Sequence, residues 1–219
     1  MTALGQGKET MGFQRKPAYE CLKRLFDLLF SLIAVVVLSP VFLIIAIAVV
    51  AEDGLPVLYR AKRVGLHGKT IAVYKFRSMK NHADRLEEML SPEELEEYKK
   101  NYKLEHDPRI TKVGAFLRKT SLDELPQLFN IISGKLSLVG PRPVLQEETE
   151  LYGENRDLLL SCKPGLTGLW QACGRSNVTY EDGARQALEL QYVRERSLLL
   201  DLKILFWTVG AVVRMDGAR

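Results

Sequence analysis

At 219 residues the chain is long enough for one well-packed domain with an appended membrane element, and 47% hydrophobic with 26% charged residues excludes wholesale disorder. The net charge of +4 suits an anionic partner such as a phosphate, a nucleotide or an acidic membrane. No nucleic-acid-binding signature accompanies that charge, so we expect no nucleic-acid partner. The three cysteines have no C-x-x-C spacing, which predicts free thiols rather than a disulfide framework or a zinc site.

The first predicted element is an uncharged apolar run at residues 28–51, which follows a polar lead-in that we predict to be flexible. As a straight helix the run would be roughly 36 Å long at ~1.5 Å per residue. That length is enough for a hydrocarbon core of about 30 Å. The run is too long, and begins too late, for a signal peptide.

Ser39 and Pro40 interrupt this run, because proline removes a helix hydrogen bond and clashes with the preceding turn. Each half is then too short to span alone, and Ser39 could satisfy a freed carbonyl. Basic residues, which mark the cytoplasmic side of a membrane segment, flank the run on both sides: Lys16, Lys23, Arg24, Arg60, Lys62 and Arg63. A re-entrant hairpin puts both clusters on one side, whereas a kinked spanning helix separates them. The composition leaves both open.

The following residues predict a small domain of short strands and helices. After a turn at residues 53–56, strands are expected at residues 57–59 and 70–76. Residues 82–105 are charged and helical in tendency, with a helix start at Ser91. Further helical stretches are predicted at residues 113–117, 122–132, 147–161 and 182–198, with a Gly-rich loop at residues 163–168.

The apolar segment at residues 199–213 is too short for a full span. We predict an interfacial helix that lies on the membrane, with a packed core helix as the close alternative. Such an apolar segment could also support a homodimer.

Asp123 and Glu124 are the candidate chemical pair. Neighbouring helix positions do not face each other, so one carboxylate could attack while the other binds a metal. The alternative is structural, since Ser121 and Glu124 have the S-x-x-E spacing of a capping box. From the residues alone the cap is the favoured interpretation, and four cations make phosphate chemistry possible beside it, because guanidinium and ammonium groups bind phosphate oxygens. They are Lys75, Arg77, Arg118 and Arg142.

With these residues the chain resembles the monotopic phosphoglycosyl transferases, bacterial enzymes that transfer a sugar phosphate to a polyprenyl phosphate. The resemblance extends roughly from Lys23 to the C-terminus and includes the Ser39-Pro40 break. It is carried by YKFRSM at residues 74–79, DPRIT at 107–111, LRKTSLDELPQL at 117–128, LVGPRP at 138–143 and KPGLTGLW at 163–170. The chain resembles the small catalytic form, without the N-terminal membrane bundle of longer members. The segment with Trp170 and Arg175, however, is more similar to those longer members.

The resemblance implies that Asp123 attacks the β-phosphate of a UDP-sugar, so that UMP leaves and a covalent phosphosugar-aspartate remains. Polyprenyl phosphate, such as undecaprenyl phosphate, then takes the sugar phosphate. Glu124 would bind Mg²⁺, or Mn²⁺ in its place, and the cations that match family positions would hold phosphates. Two rivals stay open: direct transfer with Asp123 as general base, and a catalytically silent scaffold in glycan export.

The resemblance also favours the re-entrant hairpin, and so a monotopic protein of the bacterial inner membrane with its catalytic domain on the cytoplasmic face and membrane lipid as a partner. The expected fold class is α/β and mostly helical, with short strands and interfacial amphipathic helices. The predicted units are a flexible lead-in (residues 1–19), a broken re-entrant membrane helix (20–52), a cytosolic catalytic domain (53–200) and a C-terminal interfacial helix and tail (201–219). The donor sugar is open, with a tilt towards galactose or a related hexose.

Overall fold

The computed structural model describes residues 16–101, 104, 107–173 and 183–213, and for residues 99–101, 212 and 213 it describes the backbone alone. Most of the predicted lead-in, Arg175 and the end of the predicted tail therefore lie outside the described residues. Helix α1 begins at Pro17, within the segment predicted as a lead-in.

Ten α-helices lie in these described ranges: α1 Pro17–Val37, α2 Ser39–Asp53, α3 Leu86–Met89, α4 Pro92–Asn101, α5 Lys112–Thr120, α6 Gln127–Ile132, α7 Arg156–Leu159, α8 Leu169–Cys173, α9 Ala184–Glu195 and α10 Leu198–Val213. Short 3₁₀ turns occupy Leu66–Gly68, Leu122–Glu124 and Glu147–Asn155. The strands are β1 Leu58–Val64, β2 Thr70–Phe76, β3 Ser137–Val139 and β4 Gly165–Thr167. The mostly helical α/β class is confirmed.

The strands form two small sheets, an antiparallel pair of β1 with β2 and a parallel pair of β3 with β4. Strand β2 has the predicted bounds. Strand β1 extends beyond the predicted 57–59, because Arg60 and Lys62 occupy exposed strand positions and hide the pattern. The predicted loop at 163–168 contains β4 instead. A Cβ at Gly165 would lie 2.1 Å from the Gly140 amide nitrogen, so the glycines there allow close backbone approach rather than flexibility.

Helices α1 and α2 form a bent pair with a 62° angle at the predicted break. The Ser39 hydroxyl donates to the Val36 carbonyl oxygen at 2.7 Å, so Ser39 satisfies one carbonyl freed by Pro40. Within the described residues no single helix is both long and apolar enough to cross a membrane, whereas this pair meets the length and apolarity criteria when it is taken together.

Both ends of the bent pair are bound to the same domain. Near the start of α1, Arg24 donates to the carbonyl oxygens of Ile131 and Ile132 at the end of α6, at 2.6 and 2.8 Å. At the end of α2, the Glu52 carboxylate accepts the backbone N–H of Lys112 at 2.7 Å. The domain therefore holds the pair at the start of α1 and the end of α2.

Helix α10 has one buried side and one exposed apolar side. Asp201 is buried and accepts hydrogen bonds from Lys23 at 2.8 Å, Tyr19 at 2.9 Å and Tyr192 at 2.8 Å, which joins α10 to α1 and α9. Ile204 is fully buried. The exposed side carries Leu199, Leu202, Phe206, Trp207 and Val209. The segment thus combines features of both predicted alternatives, a packed helix and an apolar surface.

The central core lies between the β1–β2 hairpin, α6, the β3–β4 pair, α9 and α10. Its buried members include Ala61, Val73, Leu128, Ile131, Leu136, Leu138, Val139, Tyr192, Val193 and Ile204. Burial of these apolar side chains fixes the end of β2 beside the 3₁₀ turn at Leu122–Glu124. This junction positions the candidate site.

Candidate active site

Lys75, Asp123 and Glu124 come together where the end of β2 meets the 3₁₀ turn. The Lys75 ammonium group donates to Glu124 Oε1 at 2.6 Å and lies 3.7 Å from Asp123 Oδ2. The two carboxylates therefore share one cation. The candidate pair predicted from the sequence is thus in contact with one of the four predicted cations.

Local backbone geometry sets the turn. Helix α5 ends at Thr120, and Ser121 adopts the left-handed conformation with φ 58°. The Ser121 side chain makes no capping hydrogen bond, and the Glu124 carboxylate bonds Lys75 instead of a backbone N–H. The capping-box interpretation of Ser121 and Glu124 is therefore wrong, since neither side chain makes its capping hydrogen bond and Ser121 is a left-handed residue that ends α5.

Asp123 is nearly buried, with 7% of its surface exposed. Burial raises the pKa of its carboxyl group; the positive charge of Lys75 opposes this shift, and the neighbouring Glu124 carboxylate adds to it. Arg118 also favours the ionised form. The result is a poorly solvated carboxylate flanked by two cations, which is an arrangement suited to a nucleophile.

Arg118 lies on α5, close enough to Asp123 for the two charges to interact. Its Nε donates to the Ser78 hydroxyl at 2.9 Å. Burial lowers the pKa of the guanidinium, and the charge of Asp123 opposes that shift. A Cβ at Gly114 would lie 2.0 Å from the Ser78 carbonyl oxygen, so α5 lies directly against the segment that follows β2. This packing fixes Arg118 relative to Lys75.

Arg77 is engaged elsewhere, at the end of α2. Its guanidinium donates to the carbonyl oxygens of Asp53 at 2.9 Å and Gly54 at 2.6 Å, and it lies 3.2 Å from the Asp53 carboxylate. It also bonds the Asn81 side chain. Those contacts tie the chain after β2 to the bent pair of α1 and α2; the predicted phosphate contact of Arg77 stays a prediction.

Arg142 lies in the segment after β3, and its contacts are with α8 and α9 rather than with the carboxylate pair. Its backbone N–H donates to Glu189 Oε2 at 3.0 Å. Its guanidinium stands 5.5 Å from the centre of the Trp170 ring, and the residue is exposed. A phosphate role for Arg142 therefore stays a prediction too.

Sequence reasoning missed three buried charged side chains near these cations. Asp107 and Arg109 form a salt bridge of 2.7 Å whose side chains are almost inaccessible, and both act electrostatically on Arg118. The DPRIT motif contained that signal, although no role was assigned to it. Glu189, 1% exposed, carried no local signal, because its partner Arg142 is 47 residues away.

Residues 18–215 match the family model described as bacterial sugar transferase. The chain is 46% identical over 200 residues to the undecaprenyl-phosphate galactose phosphotransferase of Salmonella typhimurium, covering 90% of this chain and 41% of that protein. It is 46% identical over 206 residues to the exopolysaccharide production protein ExoY of Rhizobium meliloti, covering 93% and 90% of the two chains.

A sugar transferase of Haemophilus influenzae described as uncharacterized is 48% identical over 200 residues, which cover 90% of this chain and 42% of that protein. The chain therefore spans less than half the length of two of these relatives. The family match covers most of the chain and includes both candidate carboxylates, so the chain belongs to the bacterial sugar transferase family.

Proposed function

We propose that this protein transfers a sugar 1-phosphate from a UDP-sugar to polyprenyl phosphate, with release of UMP and formation of a polyprenyl-diphosphate sugar. The observation that carries the proposal is the buried Asp123 carboxylate, 3.7 Å from the Lys75 ammonium group and adjacent to Glu124. The name of the Salmonella relative supports the same reaction class.

In the first step, a carboxylate oxygen of Asp123 attacks the β-phosphorus of the donor. The new bond joins that oxygen to phosphorus, and the bond between the β-phosphorus and the oxygen bridging to the α-phosphate breaks. That bridging oxygen leaves with the electron pair as part of UMP. The sugar phosphate remains on Asp123 as an acyl phosphate.

In the second step, an oxygen of polyprenyl phosphate attacks the same phosphorus, and the Asp123 carboxylate leaves. Lys75 and Arg118 flank the carboxylate and would stabilise the negative charge that develops on the phosphoryl oxygens. Direct transfer would use Asp123 as a base instead; both mechanisms need the ionised carboxylate, and only the nucleophilic one leaves a sugar phosphate on the protein.

Glu124 is the residue that would hold Mg²⁺. Its carboxylate and that of Asp123 both lie near the Lys75 ammonium group, so the two are close enough to form a candidate donor set. Among the described residues no group of three or more His, Cys, Asp and Glu side chains is arranged to hold a metal by itself. Mg²⁺ commonly binds one or two carboxylates together with substrate phosphates, and the 37% exposed Glu124 side chain fits that requirement. When bound, the ion would neutralise the diphosphate charge.

The bent pair supports a re-entrant membrane element. Arg24 near the start of α1 and Glu52 near the end of α2 are bonded to the same domain. A spanning arrangement would place those two ends on opposite sides of a membrane, which a single folded domain cannot reach. The exposed apolar side chains between them include Leu29, Ile33, Val36, Val37, Leu43, Ile44 and Ile47.

The bend angle agrees with a shallow insertion. If Arg24 and the end of α2 lie at one surface, the two arms of the pair are nearly equal in length, so each makes half of 62° with the membrane plane, about 31°. Helix α2, roughly 22 Å long at ~1.5 Å per residue, then places the break about 11 Å below that surface. This depth is within one leaflet of a hydrocarbon core of about 30 Å. The phosphate of a polyprenyl acceptor lies at the same surface as the domain.

A donor panel tests the proposal. The purified full chain is incubated with undecaprenyl phosphate, Mg²⁺ and, one at a time, the UDP derivatives of galactose, glucose, N-acetylglucosamine and N-acetylgalactosamine. UMP release is expected with one donor, with galactose favoured because the Salmonella relative is named for it. Release that persists unchanged in Asp123→Asn would contradict the proposal, and a catalytically silent scaffold would release no UMP from any of them.

A further inference from the structure

A buried carboxylate holds the backbone of one of the predicted phosphate-binding cations. We propose that Glu189 is a positioning residue that holds Arg142 in the orientation with which it binds the diphosphate of the nucleotide donor. This inference rests on the proposed function, which supplies the nucleotide donor, and it assigns to α9 a part in donor binding.

The Arg142 segment is fixed first by close backbone contacts. A Cβ at Gly140 would lie 2.5 Å from the Lys163 carbonyl oxygen, and one at Gly168 would lie 2.2 Å from the Gly140 carbonyl oxygen. Pro141 and Pro143 lack N–H groups, so Arg142 supplies the one backbone donor of this three-residue stretch. The direction of that N–H therefore determines how the segment is anchored.

Glu189 accepts that single N–H at 3.0 Å from a position on α9 that is 1% exposed. Its other oxygen, Oε1, is buried and has no hydrogen-bond partner among the residues that the structure describes. The charged groups that act on it are Arg142 and Arg185, which favour the ionised form, and Glu148, which disfavours it. The protein thus buries a carboxylate at a position where an uncharged hydrogen-bond acceptor would have a smaller desolvation penalty.

The Arg142 backbone is held by Glu189, whereas its side chain is exposed. Two guanidinium groups lie near the Trp170 ring, with Arg142 at 5.5 Å and Arg185 at 4.1 Å from the ring centre. The positive charge of Arg142 also acts on Arg63. Burial is the main cause that lowers the pKa of the Arg63 guanidinium, and repulsion by Arg142 is the second. Positive charges that repel one another at an exposed position suit an anionic ligand.

Glu189 makes the positioning depend on pH. Burial raises its pKa from 4.5 to about 7, against the hydrogen bond from Arg142 and the charges of Arg185 and Arg142. Above this pKa the ionised carboxylate forms a charge-assisted hydrogen bond to the Arg142 N–H, and below it the protonated group is a weaker acceptor. Glu189→Gln mimics the protonated state at every pH.

The test is UDP binding by calorimetry between pH 5.5 and 8.5, with wild type, Glu189→Gln and the matched control Glu150→Gln, whose side chain is exposed. The ratio of variant to wild-type Kd is the readout, because the ionisation of UDP itself cancels in it. We expect a ratio near one at pH 5.5 that rises to roughly 5- to 10-fold at pH 8.5, because the glutamine amide oxygen still accepts a neutral hydrogen bond and only the charge-assisted part is lost. The control ratio stays near one throughout.

The same substitution in an Arg142→Ala background identifies the route of the effect. If Glu189 acts through Arg142, Glu189→Gln changes the Kd there by less than about twofold at any pH. Equal effects in both backgrounds, or a ratio of one at every pH in the wild-type background, would overturn the inference. If wild type does not bind UDP at all, the proposed function fails, and this inference fails with it.

Two measurements separate positioning from damage to the fold. We expect Glu189→Gln to unfold at the same or a higher temperature than wild type at pH 8.5, because it removes a buried charge, while it binds UDP more weakly. If Glu189→Gln instead unfolds at a lower temperature than wild type, and the unfolded fraction explains its weaker UDP binding, the positioning role is contradicted. If Glu189→Gln does not fold, the Kd for UDP of wild type and of Arg142→Ala is measured across the same pH range. The ratio of the two Kd values should change near pH 7. A ratio that is constant with pH would overturn the inference.

Discussion

The ammonium group of Lys75 lies 3.7 Å from the buried carboxylate of Asp123. The register of the β1–β2 hairpin, in which Lys75 pairs with Tyr59, determines the position of Lys75. The left-handed residue after α5 determines the position of Asp123. Two segments that are 48 residues apart therefore meet at a single charge pair. We infer that this contact controls the ionisation of the proposed nucleophile.

Replacing Lys75 by glutamine should move the pH dependence of UMP release. Burial raises the pKa of Asp123 and Lys75 lowers it, so loss of the lysine leaves the pKa higher still. A nucleophile must be ionised, and the acidic limb of the rate profile is therefore expected at higher pH in Lys75→Gln, in addition to a lower maximal rate. The profile is measured under saturating donor.

Lys69→Gln is the control for that experiment, since Lys69 is exposed at the other end of the hairpin. Its acidic limb should coincide with that of wild type. An acidic limb in Lys75→Gln that stays in the wild-type position would contradict the assignment of the limb to Asp123.

Glu124→Gln tests the proposed metal ligand. The neutral amide is a weaker ligand for Mg²⁺ than a carboxylate, so the Mg²⁺ concentration for half-maximal UMP release should rise at least tenfold. Chelation with EDTA should abolish release by wild type, and added Mg²⁺ should restore it. Glu88→Gln, which alters an exposed carboxylate, is the matched control. An unchanged Mg²⁺ requirement in Glu124→Gln would assign the metal to other ligands.

Gly114→Ala tests whether α5 must contact the Ser78 backbone. The added Cβ would lie 2.0 Å from the Ser78 carbonyl oxygen, which forces the helix and its Arg118 away from the site. We expect a loss of about 1–3 kcal/mol in the free energy of unfolding, as for other overpacked sites. UMP release should also decline.

Ala115→Ser on the exposed side of the same helix is the comparison and should have a small effect. The free energy of unfolding is measured by chemical denaturation in detergent. Equal stability of the two variants would show that α5 does not depend on this contact.

Cysteine labelling tests the re-entrant topology. Ala18 and Lys62 are exposed on either side of the bent pair, and each is replaced by cysteine in a chain whose three native cysteines are serine. An impermeant maleimide should label neither site in intact bacteria and both after permeabilisation. Labelling of a single site in intact cells would indicate a span instead.

Local sequence signals predicted the elements that depend on near neighbours. Strand β2 has its predicted bounds because alternation and flanking glycines define it. The start of α4 also follows its signal: Ser91 and Glu94 exchange side-chain to backbone hydrogen bonds at 2.8 and 3.2 Å. The break at Ser39-Pro40 is a similar case, since the chemistry of proline is local.

Long-range contacts explain what the sequence could not predict. Strand β4 has a glycine-rich sequence typical of a loop, and it is a strand because Gly140 and Gly165 allow two backbones to approach closely. Asp27 is buried in α1 to accept the Leu138 N–H, at 3.1 Å and 111 residues away. Periodicity contains no information about such partners.

In the candidate site, too, local sequence signals were predictive and long-range contacts were not. Motif resemblance identified Asp123 and Glu124 before any geometry was known, and the structure brings Lys75 to both. Local spacing alone pointed to a cap at Ser121, which the left-handed backbone rules out. The separate anchoring of Arg77 on Asp53 could not be read from its motif, because that partner lies in the preceding helix.

Trapping of the covalent intermediate tests the central claim most directly. The full chain is incubated with Mg²⁺ and a UDP-sugar labelled with ³²P at the β-phosphate, without acceptor, and the denatured protein is analysed for label. We predict acid-stable, hydroxylamine-sensitive label on wild type, none on Asp123→Asn, and loss of the label when undecaprenyl phosphate is added. Asp123→Asn should be at least as stable as wild type at neutral pH, because burial raises the pKa of Asp123 and its ionised form therefore disfavours folding. UMP release at the full rate by a wild-type protein that never carries label would contradict the covalent mechanism.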